Sequence, residues 1–106
     1  MKKQLKNVLE KIDLSNKKFI LAYEPVWAIA NNNPCSPDEA NETIIFLRKE
    51  LKNYTKEKVV ILYGGSVSYK NVNDYLINKD IDGVLVGSES SKKINFKKMI
   101  DQVSKL

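Results

Sequence analysis

Three short stretches hold the residues with which this chain could do chemistry. The first, Leu21-Ala22-Tyr23-Glu24-Pro25-Val26-Trp27-Ala28-Ile29, puts a lone carboxylate at the end of an apolar run and follows it at once with proline. A carboxylate so placed suits general-base work, taking a proton from one carbon and returning it to the neighbour. The second and third are Tyr63-Gly64-Gly65-Ser66-Val67 and Asp82-Gly83-Val84-Leu85-Val86-Gly87 with Ser88 behind it. Glycine-rich turns leave backbone N–H groups uncovered, and a short helix starting after Gly87 would aim its positive end at an anion. Each stretch also has a plainer meaning when read alone. Glu24 would cap a strand at a wet sheet end, and the glycines would let the chain turn sharply as it leaves a strand.

The elements that must position these residues follow from the apolar pattern. Phe19 to Tyr23 is an unbroken apolar run of strand length, and Pro25 cannot donate to a ladder, so the strand stops at about Glu24. Before it, Leu5, Val8, Leu9 and Ile12 share one face of an amphipathic helix. After it, Ser36 as N-cap, Pro37 at the first helical position and Glu39 in a capping box start a helix whose apolar face is Ala40, Ile44, Leu47 and Leu51. Val59 to Tyr63 is the next strand, Asn71 to Leu76 a short helix, and Ile81 to Val86 a third strand broken at Gly87. Phe96, Met99, Ile100 and Val103 mark a last amphipathic helix. The order is a leading helix followed by three parallel βα units, an α/β architecture in one domain over residues 1–106, with strands expected to be buried on both faces. All three chemistry-bearing stretches then lie at strand C-termini, the edge at which parallel sheets bind ligands.

Composition narrows the function classes. Hydrophobic content of 42% and charged content of 29% describe an ordinary folded chain. There is no run of about 18 apolar residues to span a membrane, and the Lys-rich start lacks the apolar core of a signal peptide, so a cytoplasmic location is expected. The net charge of +5 does not point to nucleic acid, because lysine supplies all but one of the 18 cations and these are spread along the chain instead of gathering in a patch. Cys35 is the sole cysteine, and the sequence has no histidine to activate it, so it reads as a tolerated small residue.

The segment Tyr23-Glu24-Pro25-Val26-Trp27-Ala28 resembles triosephosphate isomerase, and the two glycine-bearing segments recur in that family in the same order and at matching spacing. The resemblance covers essentially the whole chain but only the C-terminal part of the family's barrel, since a full (β/α)8 barrel needs roughly 250 residues. It implies a partial TIM barrel and the interconversion of dihydroxyacetone phosphate and glyceraldehyde 3-phosphate, with no cofactor and no metal. By this resemblance Glu24 is the catalytic base. Pro25, Val26 and Trp27 form the hinge of a lid. Ala30, Ser66, Gly87 and Ser88 contact the substrate, and Tyr63 with Ser66 holds the lid closed. Arg48 and Asp80 match a bridged pair.

Departures from the family pattern set further expectations. The lid usually continues Gly-Thr-Gly-Lys-Thr, whereas here it reads Ala30-Asn31-Asn32-Asn33-Pro34. Pro34 removes an N–H and restricts Asn33 at the far hinge. Ser88 replaces the second phosphate-binding glycine, and Glu89 follows where a small residue is usual. An inward Glu89 about 6 Å from a phosphate would oppose it by roughly 3 kcal/mol per unit charge. The family's electrophilic histidine and its substrate-binding lysine and asparagine come from the N-terminal half. The expected partners are therefore a small triose phosphate and either an N-terminal barrel chain or a homo-oligomer, with no nucleic acid and no membrane. The alternative is a non-catalytic phosphate-binding or assembly module derived from the same barrel.

Overall fold

Strand and helix boundaries fall where backbone chemistry forces them. A computed structural model of the chain describes residues 18–25 and 35–106; the leading helix expected around Leu5 to Ile12 and the stretch 26–34 lie outside them. The first strand, β1, spans Ile20–Tyr23 and ends two residues before Pro25, as a proline without an N–H requires. Helix α1, Pro37–Leu51, opens on Ser36, whose Oγ accepts the Glu39 N–H at 3.2 Å. The other half of the expected capping box is replaced: the Glu39 carboxylate accepts instead from the Cys35 thiol, Sγ to Oε2 3.7 Å. Asp38 and Glu39 in the first turn and Arg48 and Lys49 in the last complement the helix dipole.

Strand β2 spans Val60–Gly64, helix α2 Val72–Leu76, strand β3 Gly83–Leu85, and helix α3 Lys93–Val103, with a 3-10 turn at Ser88–Ser91 between the last two. The three strands are parallel in the order β1-β2-β3. In the register Ile20 lies beside Val60, Tyr23 beside Tyr63, and Gly64 beside Leu85. Strand β3 is shorter than the apolar run from Ile81 to Val86, and Asp82 ties its approach to β2. Asp82 donates its N–H to the Ile61 carbonyl at 3.0 Å and accepts the Ile61 N–H on its own carboxylate at 2.9 Å.

Successive strand residues face opposite ways, so the two sheet faces can be read separately. On one face Ile61 and Tyr63 are fully buried in a core with Ala40, Ile44, Leu47 and Leu51 of α1, Val72 and Tyr75 of α2, and Met99 of α3. The other face carries Ile20, Val60 and Leu85, exposed at 65%, 41% and 44%. The expectation of strands buried on both faces is therefore corrected: among the described residues one face is covered by helices and the other is not. Ile100 departs similarly. It is exposed while Met99 is buried and Phe96 and Val103 pack against the core, because the buried stripe of α3 centres between residues 99 and 103. Among the described residues no helix is long and apolar enough to cross a membrane.

Candidate active site

The chemistry-bearing residues meet at the C-terminal ends of the strands. Glu24, one residue past β1, shares a concavity of about 900 Å³ with Gly65 and Ser66 after β2 and with Leu85, Gly87, Ser88 and Glu89 after β3. Three segments separated by tens of residues in sequence thus surround one space, because parallel strands in register bring their exits to the same edge. Of the other residues singled out by sequence, Pro25 is buried and Tyr63 lies in the core. Val26, Trp27 and Ala30 lie outside the described residues.

Glu24 continues the alternation of Ile20 and Ala22, which places it on the uncovered sheet face beside Gly64. A Cβ at residue 64 would stand 2.9 Å from both Cγ and Oε1 of Glu24. The glycine therefore does more than permit a turn: it supplies the space over which the Glu24 side chain lies. Sequence reading assigned Gly64 only to the turn, and nothing local in the sequence marks which neighbour would need that space.

The turn after β2 is strained and pinned. Ser66 adopts a left-handed φ of 54°, unusual for a residue with a Cβ, and Gly65 has φ 150°. Such strain costs of order 1–3 kcal/mol and persists only where surrounding bonds over-determine it. Here Asn71 supplies the bonds: its Nδ2 donates to the Ser66 carbonyl at 3.1 Å and its Oδ1 accepts the Ser68 N–H at 2.8 Å. The Tyr63 hydroxyl adds a third, donating to the Gly65 carbonyl at 3.0 Å. Asn71 was legible as a helix-starting residue but not as a tie on the turn, since its side chain bonds backward and caps nothing in α2.

Tyr63 also accepts the Cys35 N–H at 3.0 Å, so it joins the turn to the residue before the N-cap of α1. Burial, partly opposed by its contacts with Tyr75 and Cys35, raises the Tyr63 phenol above its usual range. The Cys35 thiol is pushed up to about 11 by burial and then by the Glu39 carboxylate it faces. A thiol so placed stays protonated at neutral pH, which agrees with the reading of Cys35 as unreactive.

Two charged residues have partners that the sequence does not mark. Glu89 lines the concavity, but its carboxylate is engaged: Oε1 meets Lys92 Nζ at 3.3 Å and Oε2 accepts from Asn95 Nδ2 at 3.3 Å. Arg48 does not pair with the Asp80 carboxylate. It donates to the Asp80 backbone carbonyl from Nε at 3.0 Å and Nη2 at 2.7 Å, and its ion pair is with Asp82, at 2.5 Å. The planar guanidinium reaches a further acceptor, the Val59 carbonyl at 2.8 Å, a fork that only Arg supplies.

With this geometry in hand, comparison with known proteins decides the family. A sequence profile described as Triosephosphate isomerase matches residues 1–103. The chain belongs to the triosephosphate isomerase family. It is 44% identical over 97 residues to the triosephosphate isomerase of Mesomycoplasma hyorhinis, covering 92% of this chain and 37% of that one. It is 41% identical over 104 residues to that of Endomicrobium trichonymphae, covering 94% and 42%, and 40% identical over 101 residues to that of Gloeobacter violaceus, covering 95% and 40%. The chain thus spans about two fifths of the length of the curated relatives it matches, and its parallel βα units form part of a TIM barrel.

Proposed function

We propose that these residues serve as the C-terminal part of a triosephosphate isomerase, with Glu24 as the base that moves a proton between adjacent carbons of a triose phosphate. The observation that supports this reading is the shared concavity: Glu24 opens onto the same space as Ser66, Gly87 and Ser88. Its volume of about 900 Å³ falls in the range of small-molecule sites. In this reading the Ser66, Gly87 and Ser88 segments, with Ala30, hold the phosphate, while Pro25, Val26 and Trp27 hinge a lid that Tyr63 helps to hold. The pairing of a glutamate base with a neutral histidine electrophile is the family's known division of labour. The 106 residues contain no histidine, so the electrophile must come from residues outside them. Those residues would be supplied by an N-terminal barrel segment, since a second copy of these 106 residues carries no histidine either.

Without a preorganised group to polarise the carbonyl, the 106-residue chain is expected to show no isomerase activity above background, as the missing electrophile removes several kcal/mol of transition-state stabilisation. Mixing it with the N-terminal segment of a relative, carrying the histidine and lysine, should restore turnover, and Glu24→Gln should abolish what is restored. Full activity of the monodisperse chain alone would overturn this dependence.

Glu89 favours a second reading, a non-catalytic phosphate-binding or assembly module. A carboxylate at the rim opposes an anion even when Lys92 and Asn95 engage it. Calorimetry with a sugar phosphate separates the two: binding that is unchanged by Glu24→Gln, with no activity in any mixture, supports the module.

A further inference from the structure

Tyr75 lies outside the concavity and outside every motif on which the family reading rests, yet its hydroxyl meets the same backbone that Tyr63 holds. It donates to the Cys35 carbonyl, from the opposite side of the residue whose N–H Tyr63 accepts. The two rings are stacked, with centroids 4.2 Å apart and planes 15° from parallel, and Cys35, Tyr63 and Tyr75 are each no more than 1% exposed. We propose that Tyr75 is a positioning residue: with Tyr63 it forms a two-hydroxyl latch on both sides of Cys35, fixing the backbone next to the Ser36 N-cap of α1 against the turn after β2.

The proton accounting supports a division of labour rather than redundancy. Each phenol has one proton to give. That of Tyr63 goes to the Gly65 carbonyl, and its oxygen accepts the Cys35 N–H. That of Tyr75 goes to the Cys35 carbonyl, so the 3.5 Å contact between the two hydroxyls carries no proton of its own. The Cys35 N–H and C=O are thus both satisfied in a site that excludes water, and neither tyrosine can take over the other's bond. Burial raises both phenols above their usual range, which keeps the protons in place at neutral pH. The latch also reaches the strained turn, since the Tyr63 bond to Gly65 lies one residue from Ser66 and its positive φ. The entrance to α1 at Cys35 and the turn that lines the concavity are therefore tied through one hydroxyl, and Tyr75 holds that tie's far end.

This inference does not depend on the isomerase reading, and its test is structural. In Tyr75→Phe the stacked ring remains and only the hydroxyl is lost, leaving the Cys35 carbonyl buried without a donor. Hydrogen exchange of the Cys35 amide, together with iodoacetamide labelling of the single cysteine, should accelerate roughly three- to tenfold, while amides of β2 keep their wild-type rates. Equal acceleration of Cys35 and β2, or no change at either, would overturn the latch. If Tyr75→Phe does not fold, wild-type labelling across sub-denaturing urea decides. A latch opens locally, giving a rate nearly independent of urea, whereas labelling that follows the global unfolding slope throughout would sink the proposal.

Discussion

The contact between Glu24 and Gly64 places the strictest local demand on the site. The carboxylate lies over a position where any Cβ would come within 2.9 Å of its Cγ and Oε1. In Gly64→Ala the Glu24 side chain must swing aside. Residue 64 has no left-handed φ, so the new side chain brings no backbone strain; the flexible glutamate yields at a cost of about 1 kcal/mol, which alanine's lower chain entropy in a strand offsets by about 0.5–1 kcal/mol. The carboxylate's position is what suffers. A displacement of about 1 Å from a productive geometry lowers catalysis by roughly a hundredfold. Gly64→Ala is therefore expected to keep the wild-type unfolding midpoint while losing on the order of a hundredfold in the activity restored by an N-terminal segment. An unchanged rate would show that the carboxylate need not lie over residue 64. The sequence marked Glu24 itself through the abrupt stop at Pro25. It did not reveal the Gly64 contact, which depends on the register of β1 against β2, set by long-range pairing and by no local propensity.

At the scale of elements, one cluster joins the C-terminal end of α1 to the entrances of β2 and β3. Arg48 binds the carbonyls of Val59 and Asp80 and the carboxylate of Asp82, and that carboxylate also takes the Ile61 N–H. Partial burial pushes the Asp82 pKa up, but the Ile61 N–H and the Arg48 guanidinium outweigh it and hold the carboxyl below its usual 3.8. A depressed carboxyl stabilises the fold at pH values above its unfolded pKa of about 3.9, and that stabilisation is lost as pH falls through the lower folded value. Asp82→Asn should thus cost about 1–2 kcal/mol at pH 7, from the weakened bonds to Arg48 and Ile61. The gap to wild type should close as denaturation curves are measured at progressively lower pH below about 4. A gap that stays constant down to pH 2 would mean that the carboxylate's charge contributes nothing. The helix starts and the apolar face of α1 were legible because Ser36, Pro37 and the spacing of Ala40, Ile44, Leu47 and Leu51 act locally. The partner of Arg48 was not, because Asp80 and Asp82 are two residues apart and only the course of the chain into β3 decides which carboxylate faces the guanidinium.

At the scale of the whole molecule, the uncovered sheet face is the largest departure from what the apolar runs suggested. Ile20 and Ala22 alternate with half-buried neighbours and Val60 with a buried one, and Leu85 continues that face on β3. Continuous apolar strands mean burial on both faces, and here only one face is met by helices among the described residues. In a closed barrel the other face looks inward, and the edges of β1 and β3 pair with further strands. If that face receives the rest of a barrel, a charge placed on it should block assembly without touching the chemistry. Val60 suits this test: it starts β2, four residues before Gly64, so at about 3.3 Å per residue it lies roughly 13 Å from the Glu24 end of the sheet. Val60 is already 41% exposed, so Val60→Glu should leave the circular dichroism and unfolding midpoint of the isolated chain close to wild type. It should also reduce self-association in sedimentation velocity, because the added charge interrupts the apolar face. In the mixture with an N-terminal segment, the same variant should lose most of the restored activity and co-elution, since a carboxylate enclosed by apolar side chains has no partner to offset its desolvation. Wild-type restoration by Val60→Glu would show that this face is not where the missing strands pack.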